Sequence, residues 1–162
     1  MSVRKARKED LHNISSVCID AFMGTVAATL KEEGVNTFRS IASVSSLEGR
    51  MSGDNEMLVY ESNQAVVGYL ELKEGRHIAM LFVSPDCQGQ GVGKSLISAM
   101  SGYARTDVIT VSASLTSVSA YQNYGFENTG AVAESSGLTY QPMEITISTM
   151  ENGTERSETI RR

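Results

Sequence analysis

The stretch at residues 77–104 constrains the fold more than any other part of the chain. Ile78–Val83 is a short continuous apolar run, too short for a helix and stopped by Ser84-Pro85, so it predicts a buried strand. The residues that follow Gly91 predict a helix, because apolar side chains recur on one helical face: Val92, Leu96, Ile97, Met100 and Tyr103. The stretch is therefore interpreted as a strand, a glycine-rich turn and an amphipathic helix.

The glycines of the turn crowd the point where the helix begins. Gly89, Gly91 and Gly93 have no Cβ atoms, so an anion can approach their backbone closely. The first N–H groups of a helix have no carbonyl partner, and the helix dipole favours negative charge there. These residues therefore predict a phosphate-binding turn.

The spacing of the glycines separates three kinds of phosphate loop. A Walker loop ends in Gly-Lys-Ser/Thr, which the chain has, but Gln88 stands where its first glycine is needed. The dinucleotide fingerprint lacks its third glycine, because Lys94 takes that place. Gln88-x-x-Gly91-x-Gly93, preceded by Leu-Phe-Val-Ser-Pro-Asp, fits a third pattern. It resembles the acyl-CoA pyrophosphate loop of the GNAT N-acetyltransferase superfamily.

A second motif further along the chain is similar to a later GNAT signature, Asn-x-x-Ala-x-x-x-Tyr-x-x-x-Gly-Phe. Tyr121, Gly125 and Phe126 match it in register, whereas Ser114 replaces Asn and Ser117 replaces Ala. Ser114 keeps a side-chain oxygen that can cap a helix or bind a ligand. The resemblance is close over residues 78–126 and loose over residues 6–150.

The resemblance implies one GNAT domain over residues 1–150, of α/β (α+β) class. The expected fold is a mixed, mostly antiparallel, twisted sheet of about six to seven strands with about four helices, splayed at its central strands. Residues 151–162 have almost no apolar content, so a disordered tail is expected there.

Periodicity adds local expectations for the remaining segments. A helical stripe runs from Leu11 to Phe22, and a second helix carries Phe38 after a link punctuated by Gly34 and Asn36. Residues 43–53 are polar and small, which predicts a loop or a weak helix end, and residues 138–150 predict the last strand.

The resemblance also implies an acetyl-CoA site, with no metal. The backbone of the central strand would pair with the pantetheine arm, and the turn would hold the pyrophosphate through its N–H groups. The thioester would lie in a gap between the central strand and the strand at residues 108–113. Lys94 either adds a charge or is an ordinary exposed lysine. The expected cofactor-binding residues are Leu81, Phe82, Val83, Gln88, Gly89, Gln90, Gly91, Val92, Gly93, Lys94 and Ser114.

Tyr121 is the expected general acid, because a phenol aimed at the sulfur can protonate the departing thiolate. The alternative is a buried tyrosine with a satisfied hydroxyl, and Tyr124 is assigned to packing. Only a free amine attacks a thioester, so a base is needed. Glu71 is one candidate, unless it faces solvent, and a water chain is the other.

The composition excludes several function classes. The formal net charge of −5 argues against a nucleic-acid partner and favours a cationic acceptor, for which Glu32 and Glu33 are candidates unless they only solvate a helix end. Cys18 and Cys87 lack metal-type spacing, and no apolar run suits a membrane span or a secretory signal, so a cytoplasmic setting is expected.

The leading hypothesis is an N-acetyltransferase that passes the acetyl group of acetyl-CoA to a primary amine in a ternary complex. The runner-up is a non-catalytic acyl-CoA-binding or regulatory domain, and a Walker-type nucleotide binder comes third. The acceptor stays open between a small amine, an amino acid, a polyamine, an antibiotic and a protein N-terminus. Homodimers are common in the superfamily, but the sequence does not decide this.

Overall fold

The computed structural model describes residues 2–148 and 150, which form one sheet with helices on both faces. The strands are β1 (Ser2–Lys5), β2 (Asn55–Ser62), β3 (Ala65–Lys73), β4 (His77–Val83), β5 (Val108–Ser114), β6 (Glu127–Asn128), β7 (Ala133–Ser135) and β8 (Leu138–Thr146). The α-helices are α1 (Leu11–Thr25), α2 (Glu32–Ile41), α3 (Val44–Met51), α4 (Val92–Met100) and α5 (Val118–Asn123).

The order of the strands places a break at the centre of the sheet. The order is β1-β2-β3-β4-β5-β8-β6, with β7 paired to β8, and among these described strands only β4 and β5 run parallel to each other. Those two strands pair only at His77 with Thr110 and at Ile78 with Val111. Beyond these pairs β4 continues to Val83 and β5 to Ser114 without bonding each other, so the sheet opens into a gap. The mixed, mostly antiparallel sheet with splayed central strands is confirmed.

The two faces of the sheet bury separate hydrophobic cores. Alternation along β3 sends Leu70 and Leu72 toward α4, and sends Tyr69 toward α1 and α3. The predicted stripe of α1 is buried throughout: Leu11, Ile14, Val17, Cys18, Ala21 and Phe22. Among the described residues, none of the helices is both long and apolar enough to cross a membrane.

The N-terminal half holds more helix than the sequence predicts. Gly34 and Asn36 lie inside α2 rather than in a link before it. Gly34 is required by packing, since a Cβ atom there would collide with the backbone carbonyl of Gly137. Residues 43–53 are not a loop but mostly α3, whose N-cap Ser43 accepts a hydrogen bond from the Ser46 N–H at 3.2 Å.

The element count also exceeds the expected six to seven strands and four helices. Residues 2–148 and 150 contain eight strands in the sheet, including the very short β6 and β7, and five α-helices. The last strand ends at Thr146 rather than at residue 150. The expected tail at residues 151–162 lies outside the described residues.

Candidate active site

The gap between β4 and β5 is a cavity of about 430 Å³. One wall is β4 from Ile78 to Phe82, and the opposite wall is the end of β5 with Ser117 and Tyr121 beyond it. Helices α1 and α2 and the strands β7 and β8 supply the remaining side chains. Its volume lies in the range of ordinary small-molecule sites, which is roughly 300–1,000 Å³.

The outer half of β4 has one bonded edge and one open edge. Leu81, Phe82 and Val83 pair with β3 on one side. On the cavity side the pairing with β5 has already ended at Ile78. The backbone groups there can therefore pair with an extended ligand, as an added strand would.

The glycine-rich turn leaves the N-terminus of α4 open. Gly89 and Gly91 have φ values of 78° and 83°, in the left-handed region that favours glycine, and a Cβ atom at either position would meet nothing within 4 Å. The first N–H bonded to the turn is that of Ser95, which donates to the Gly91 carbonyl at 3.0 Å. Within the described part of the chain, the N–H groups of Val92, Gly93 and Lys94 have no acceptor.

Two glutamine side chains brace this turn from within. Gln88 Nε2 donates to the Val83 carbonyl at 3.2 Å, and Gln90 Nε2 donates to the Asp86 carbonyl at 3.4 Å. The side chain of Lys94 is exposed. The turn thus presents backbone N–H groups, with its glutamines holding the loop in shape.

Tyr121 lines the cavity and is held in place by aromatic packing. Its ring is edge-on to Phe126, with centroids 5.3 Å apart, and to Tyr124 at 5.9 Å. Among the described residues its hydroxyl has no hydrogen-bond partner, so the alternative of a satisfied core tyrosine finds no support there. Burial raises the pKa of Tyr121, and the nearby Tyr124 raises it slightly further. The raised pKa keeps the Tyr121 phenol protonated.

Tyr124 lies against α4 instead of the cavity. It is half-buried, and a Cβ atom on Gly93 would collide with its hydroxyl. Burial raises the pKa of Tyr124 as well. The close approach to Gly93 gives both residues a packing role, so Gly93 is needed for space.

Ser114 faces the cavity but caps no helix. It precedes a short 3₁₀ turn, and no backbone N–H of that turn donates to its hydroxyl. Its Oγ lies 2.6 Å from the Oγ of Ser117, which also lines the cavity. The capping alternative is therefore wrong, and the two serines that replace Asn and Ala of the motif form a hydroxyl pair.

Glu71 is fully buried, so the expectation that it might face solvent is wrong. Its carboxylate accepts hydrogen bonds from Arg50 at 2.7 Å, Asn55 at 2.5 Å and Tyr69 at 2.8 Å. Arg50 also contacts the sulfur of Met80, which does line the cavity. Glu71 itself does not line it, so its oxygens are engaged in a structural network one layer behind the site.

A wall of phenylalanines was not predicted from the sequence. Phe22 and Phe38 stack with centroids 3.9 Å apart, and Phe82 meets Phe38 edge-on at 5.1 Å. All three line the cavity. Periodicity placed Phe22 and Phe38 on buried helix faces, but only the path of the chain brings them together.

Glu32 and Glu33 are exposed in the first turn of α2, where their negative charges interact favourably with the helix dipole.

Within residues 2–148 and 150, no three His, Cys, Asp or Glu side chains cluster as metal ligands do. Both cysteines are free thiols, Cys18 buried and Cys87 half-buried. The chemistry of the cavity therefore rests on hydroxyl groups, backbone groups and apolar walls.

Comparison with known proteins agrees with this architecture. A family model for the acetyltransferase (GNAT) domain matches residues 26–147. The L-amino acid N-acyltransferase MnaT of Escherichia coli K12 is 32% identical over 113 residues, a match that spans 65% of this chain and 63% of that enzyme.

Solved structures show the same fold. A GCN5-related N-acetyltransferase from Rhodopseudomonas palustris has a TM-score of 0.79 at 23% identity, covering 90% of this chain and 94% of that one. The PaiA N-acetyltransferase from Thermoplasma acidophilum, solved in complex with coenzyme A, has a TM-score of 0.72 at 21% identity, covering 90% and 98%. With its splayed sheet, open α4 turn and matching family model, this chain belongs to the GNAT acetyltransferase family.

Proposed function

We propose that the protein is an N-acetyltransferase that transfers the acetyl group of acetyl-CoA to a primary amine in a ternary complex. The observation that carries this proposal is a path in three parts: the open N-terminus of α4, the open edge of β4, to which the turn is tied by Gln88, and the phenol of Tyr121 in the cavity. Each part of the path suits one part of an acetyl-CoA molecule.

The diphosphate of acetyl-CoA binds at the glycine-rich turn. Three unpaired N–H groups and the positive end of the α4 dipole offset its charge, and the open space at Gly89 and Gly91 admits it. The pantetheine arm then pairs with the edge of β4 at Leu81–Val83, where the Val83 carbonyl already accepts one hydrogen bond from Gln88 and has one lone pair left. The thioester reaches the hydroxyl pair of Ser114 and Ser117. The coenzyme A complex of the PaiA acetyltransferase supports this donor.

The reaction needs one attack and one protonation. The free amine nitrogen attacks the thioester carbonyl carbon, and the C–S bond breaks as the electron pair leaves on sulfur. Tyr121 gives its proton to the thiolate, and the new amide nitrogen loses a proton to water, from which the phenolate is reprotonated. Glu71 is not assigned as the base, because its oxygens are bonded and it does not line the cavity.

A ligand screen tests the donor and the activity together. A ligand that binds only the folded state raises the melting temperature, so acetyl-CoA is expected to stabilise the protein and ATP is not. Consumption of acetyl-CoA is then followed with a panel of amines. Stabilisation without consumption would favour the non-catalytic acyl-CoA-binding domain, and stabilisation by ATP would favour the Walker-type binder.

L-amino acids are a second candidate class of acceptor. The observation in their favour is the similarity to MnaT of Escherichia coli, which is an L-amino acid N-acyltransferase. That relative is matched over only part of its length, so the acceptor has to be argued from the cavity itself.

A further inference from the structure

We propose that the acceptor is a small apolar primary amine with no charged group besides its amine, neither a carboxylate nor a second ammonium. This inference rests on the proposed transferase activity and names the substrate class of the same site. It is carried by the chemistry of the cavity wall, by its size and by the charges that lie outside it.

The cavity wall carries no ionisable side chain apart from two tyrosines. Of the described residues that line it, none is Asp, Glu, Lys, Arg or His. Its polar side chains are hydroxyl groups: Thr37, Ser112, Ser114, Ser117, Tyr121, Ser135, Ser136, Thr139 and Tyr140. Hydroxyl groups can bind an amine or an acyl oxygen, but they cannot neutralise a buried charge.

The acceptor side of the cavity is apolar. The stacked pair Phe22 and Phe38, with Phe82 edge-on, forms one continuous aromatic surface. Aliphatic side chains extend it on either side: Val26, Leu30, Ile41 and Leu138. Such a surface binds an aromatic or aliphatic body by burial of apolar area and by ring packing.

The size of the cavity favours a small molecule over a polypeptide. Helix α2 and the turn between β7 and β8 meet where Gly34 abuts Gly137, and Thr37 Oγ1 donates to the Ser136 carbonyl at 2.8 Å. This contact joins two of the cavity walls. The volume of about 430 Å³ must also hold the acetyl end of the donor, which leaves room for a compact acceptor.

The arginines of the neighbouring helices do not line the cavity. Arg39 of α2 is exposed and contacts the sulfur of Met23 at 3.7 Å. Arg50 of α3 is bound to Glu71. The acidic pair Glu32 and Glu33 points to solvent at the start of α2. An acceptor carboxylate or a second ammonium would therefore enter the cavity without a counter-charge.

An uncharged wall also helps to activate the amine. Transfer from water to this cavity disfavours the ammonium form and lowers the pKa of the bound amine. The acceptor thus sheds its proton as it enters, and the site needs no carboxylate base. The same desolvation disfavours an acceptor with a second charged group, which must either be buried as an ion or be neutralised at a further cost in free energy.

Three amines that share a phenethylamine skeleton test the inference. Phenethylamine is compared with phenylalanine, which adds a carboxylate, and with para-aminomethyl-phenethylamine, which adds a second ammonium. Phenethylamine should have a kcat/KM at least about 100-fold above the other two, because each of those buries an uncompensated charge. Equal or better use of phenylalanine or of the diamine would overturn the inference while leaving the transferase proposal standing.

Calorimetry separates failure of the inference from failure of the proposed function. The three amines are titrated into protein saturated with coenzyme A. Preferential binding of phenethylamine without acetyl transfer would support the acceptor class and overturn the transferase proposal. Equal affinities, or no binding of phenethylamine, would overturn the acceptor class whatever the activity.

A charge placed in the wall should redirect the preference. Ile41 lines the cavity and is 36% exposed, so a longer polar side chain can be accommodated there. Ile41→Arg should raise the kcat/KM for phenylalanine relative to that for phenethylamine. Ile41→Glu should raise the kcat/KM for the diamine relative to that for phenethylamine. Ile41→Gln is the matched uncharged control, which should do neither. Failure of both charged variants to change the ratios would contradict the inference.

Discussion

Tyr121 gains its proposed role from where it lies rather than from an unusual acidity. Burial raises its pKa above the ordinary value of 10.0, so the hydroxyl keeps its proton across the range in which enzymes work. A protonated phenol can serve as the acid that meets the departing sulfur. Because its aromatic neighbours fix the ring, the hydroxyl is aimed without a hydrogen bond to another described residue.

Tyr121→Phe should lower kcat by about 100-fold or more, since general acid catalysis contributes about 10²–10⁴. The affinity for acetyl-CoA, measured by calorimetry, should stay close to that of the unsubstituted protein. Tyr124→Phe is the matched control, because that hydroxyl lies against Gly93 and not in the cavity. Unchanged turnover in Tyr121→Phe would remove the acid role.

Glu71 and Arg50 form an ion pair in which the carboxylate is fully buried, whereas the Arg50 side chain is 28% exposed. The Glu71 side chain is 0% exposed, so loss of its cationic partner leaves a charge without access to water. Asn55 and Tyr69 complete its hydrogen bonds. The pair acts on stability and on the position of Met80, rather than on the reacting atoms.

Arg50→Met should lower the free energy of unfolding by about 3 kcal/mol, because it strands the buried carboxylate. The exposed pair of Arg105 with Asp54 offers a control, and Arg105→Met should cost less than about 1 kcal/mol. Denaturant melts of both variants provide the measurement. Equal losses in the two variants would show that burial adds nothing to the Glu71 pair.

At the scale of elements, α4 and its preceding turn act as one unit. The left-handed φ of Gly91 ends the turn and starts the helix in a single residue, which exposes the first N–H groups. No described side chain lies within 4 Å of the missing Cβ at Gly91. The unit is therefore sensitive to charge at this position more than to volume.

Gly91→Asp should weaken acetyl-CoA binding by at least about tenfold, because its carboxylate would repel the diphosphate. Gly91→Asn is the matched control, since both side chains tolerate the left-handed conformation and differ only in charge. Titration calorimetry of the two variants gives the comparison. Equal affinities would mean that the diphosphate binds elsewhere.

The junction of β4 and β5 is a second sensitive element. His77 begins the parallel pairing, and its ring Nδ1 lies 2.7 Å from Thr110 Oγ1. Burial lowers the pKa of His77, and the nearby Arg76 and Lys73 lower it further. The folded protein thus keeps His77 neutral at a pH where the unfolded chain would protonate it. Stability from this residue is present above pH 6.5 and is lost as the pH falls below that value.

Acidification from pH 7.5 to pH 5.5, about one unit either side of the ordinary histidine pKa, should lower the melting temperature of the protein more than that of His77→Gln. His12 is exposed on α1, so His12→Gln should keep the full dependence on pH. Thermal melts of the three proteins across this pH range measure the change in melting temperature. The same acid response in His77→Gln and in the unsubstituted protein would show that the half-buried His77 is not kept neutral by the fold.

Local sequence predicted the structure well where a hydrophobic or glycine pattern is continuous along the chain. It predicted the structure poorly where a residue's contacts are distant in the chain. The strand, turn and helix at residues 77–104 could be predicted, because apolar runs and glycines act within a few residues. Helix α3 could not, since only Leu47 is fully buried in it, and Val44 and Met51 at its two ends are its only other apolar side chains. Gly34 suggested a break before the helix, but a glycine is needed there because the backbone of Gly137, far away in the chain, packs against it.

The whole molecule is organised by the gap at its centre. One side of the gap comes from the GNAT motifs, so the turn at α4 and Tyr121 could be located from the sequence. The other side is assembled from α1, α2, β7 and β8, which share no motif and meet only in the fold. The apolar wall is therefore visible only in the structure. The net charge of −5 favoured a cationic acceptor, but none of the Asp and Glu residues that the structure describes lines the cavity.

The most direct test of the central claim follows the backbone amides of the protein by nuclear magnetic resonance during titration with acetyl-CoA. The signals of Val92, Gly93 and Lys94 should shift strongly, whereas S-acetyl-pantetheine, which lacks the diphosphate, should shift only those along Leu81–Val83. If saturating acetyl-CoA leaves the three α4 amides unmoved, they do not hold the diphosphate and the account of the site is wrong.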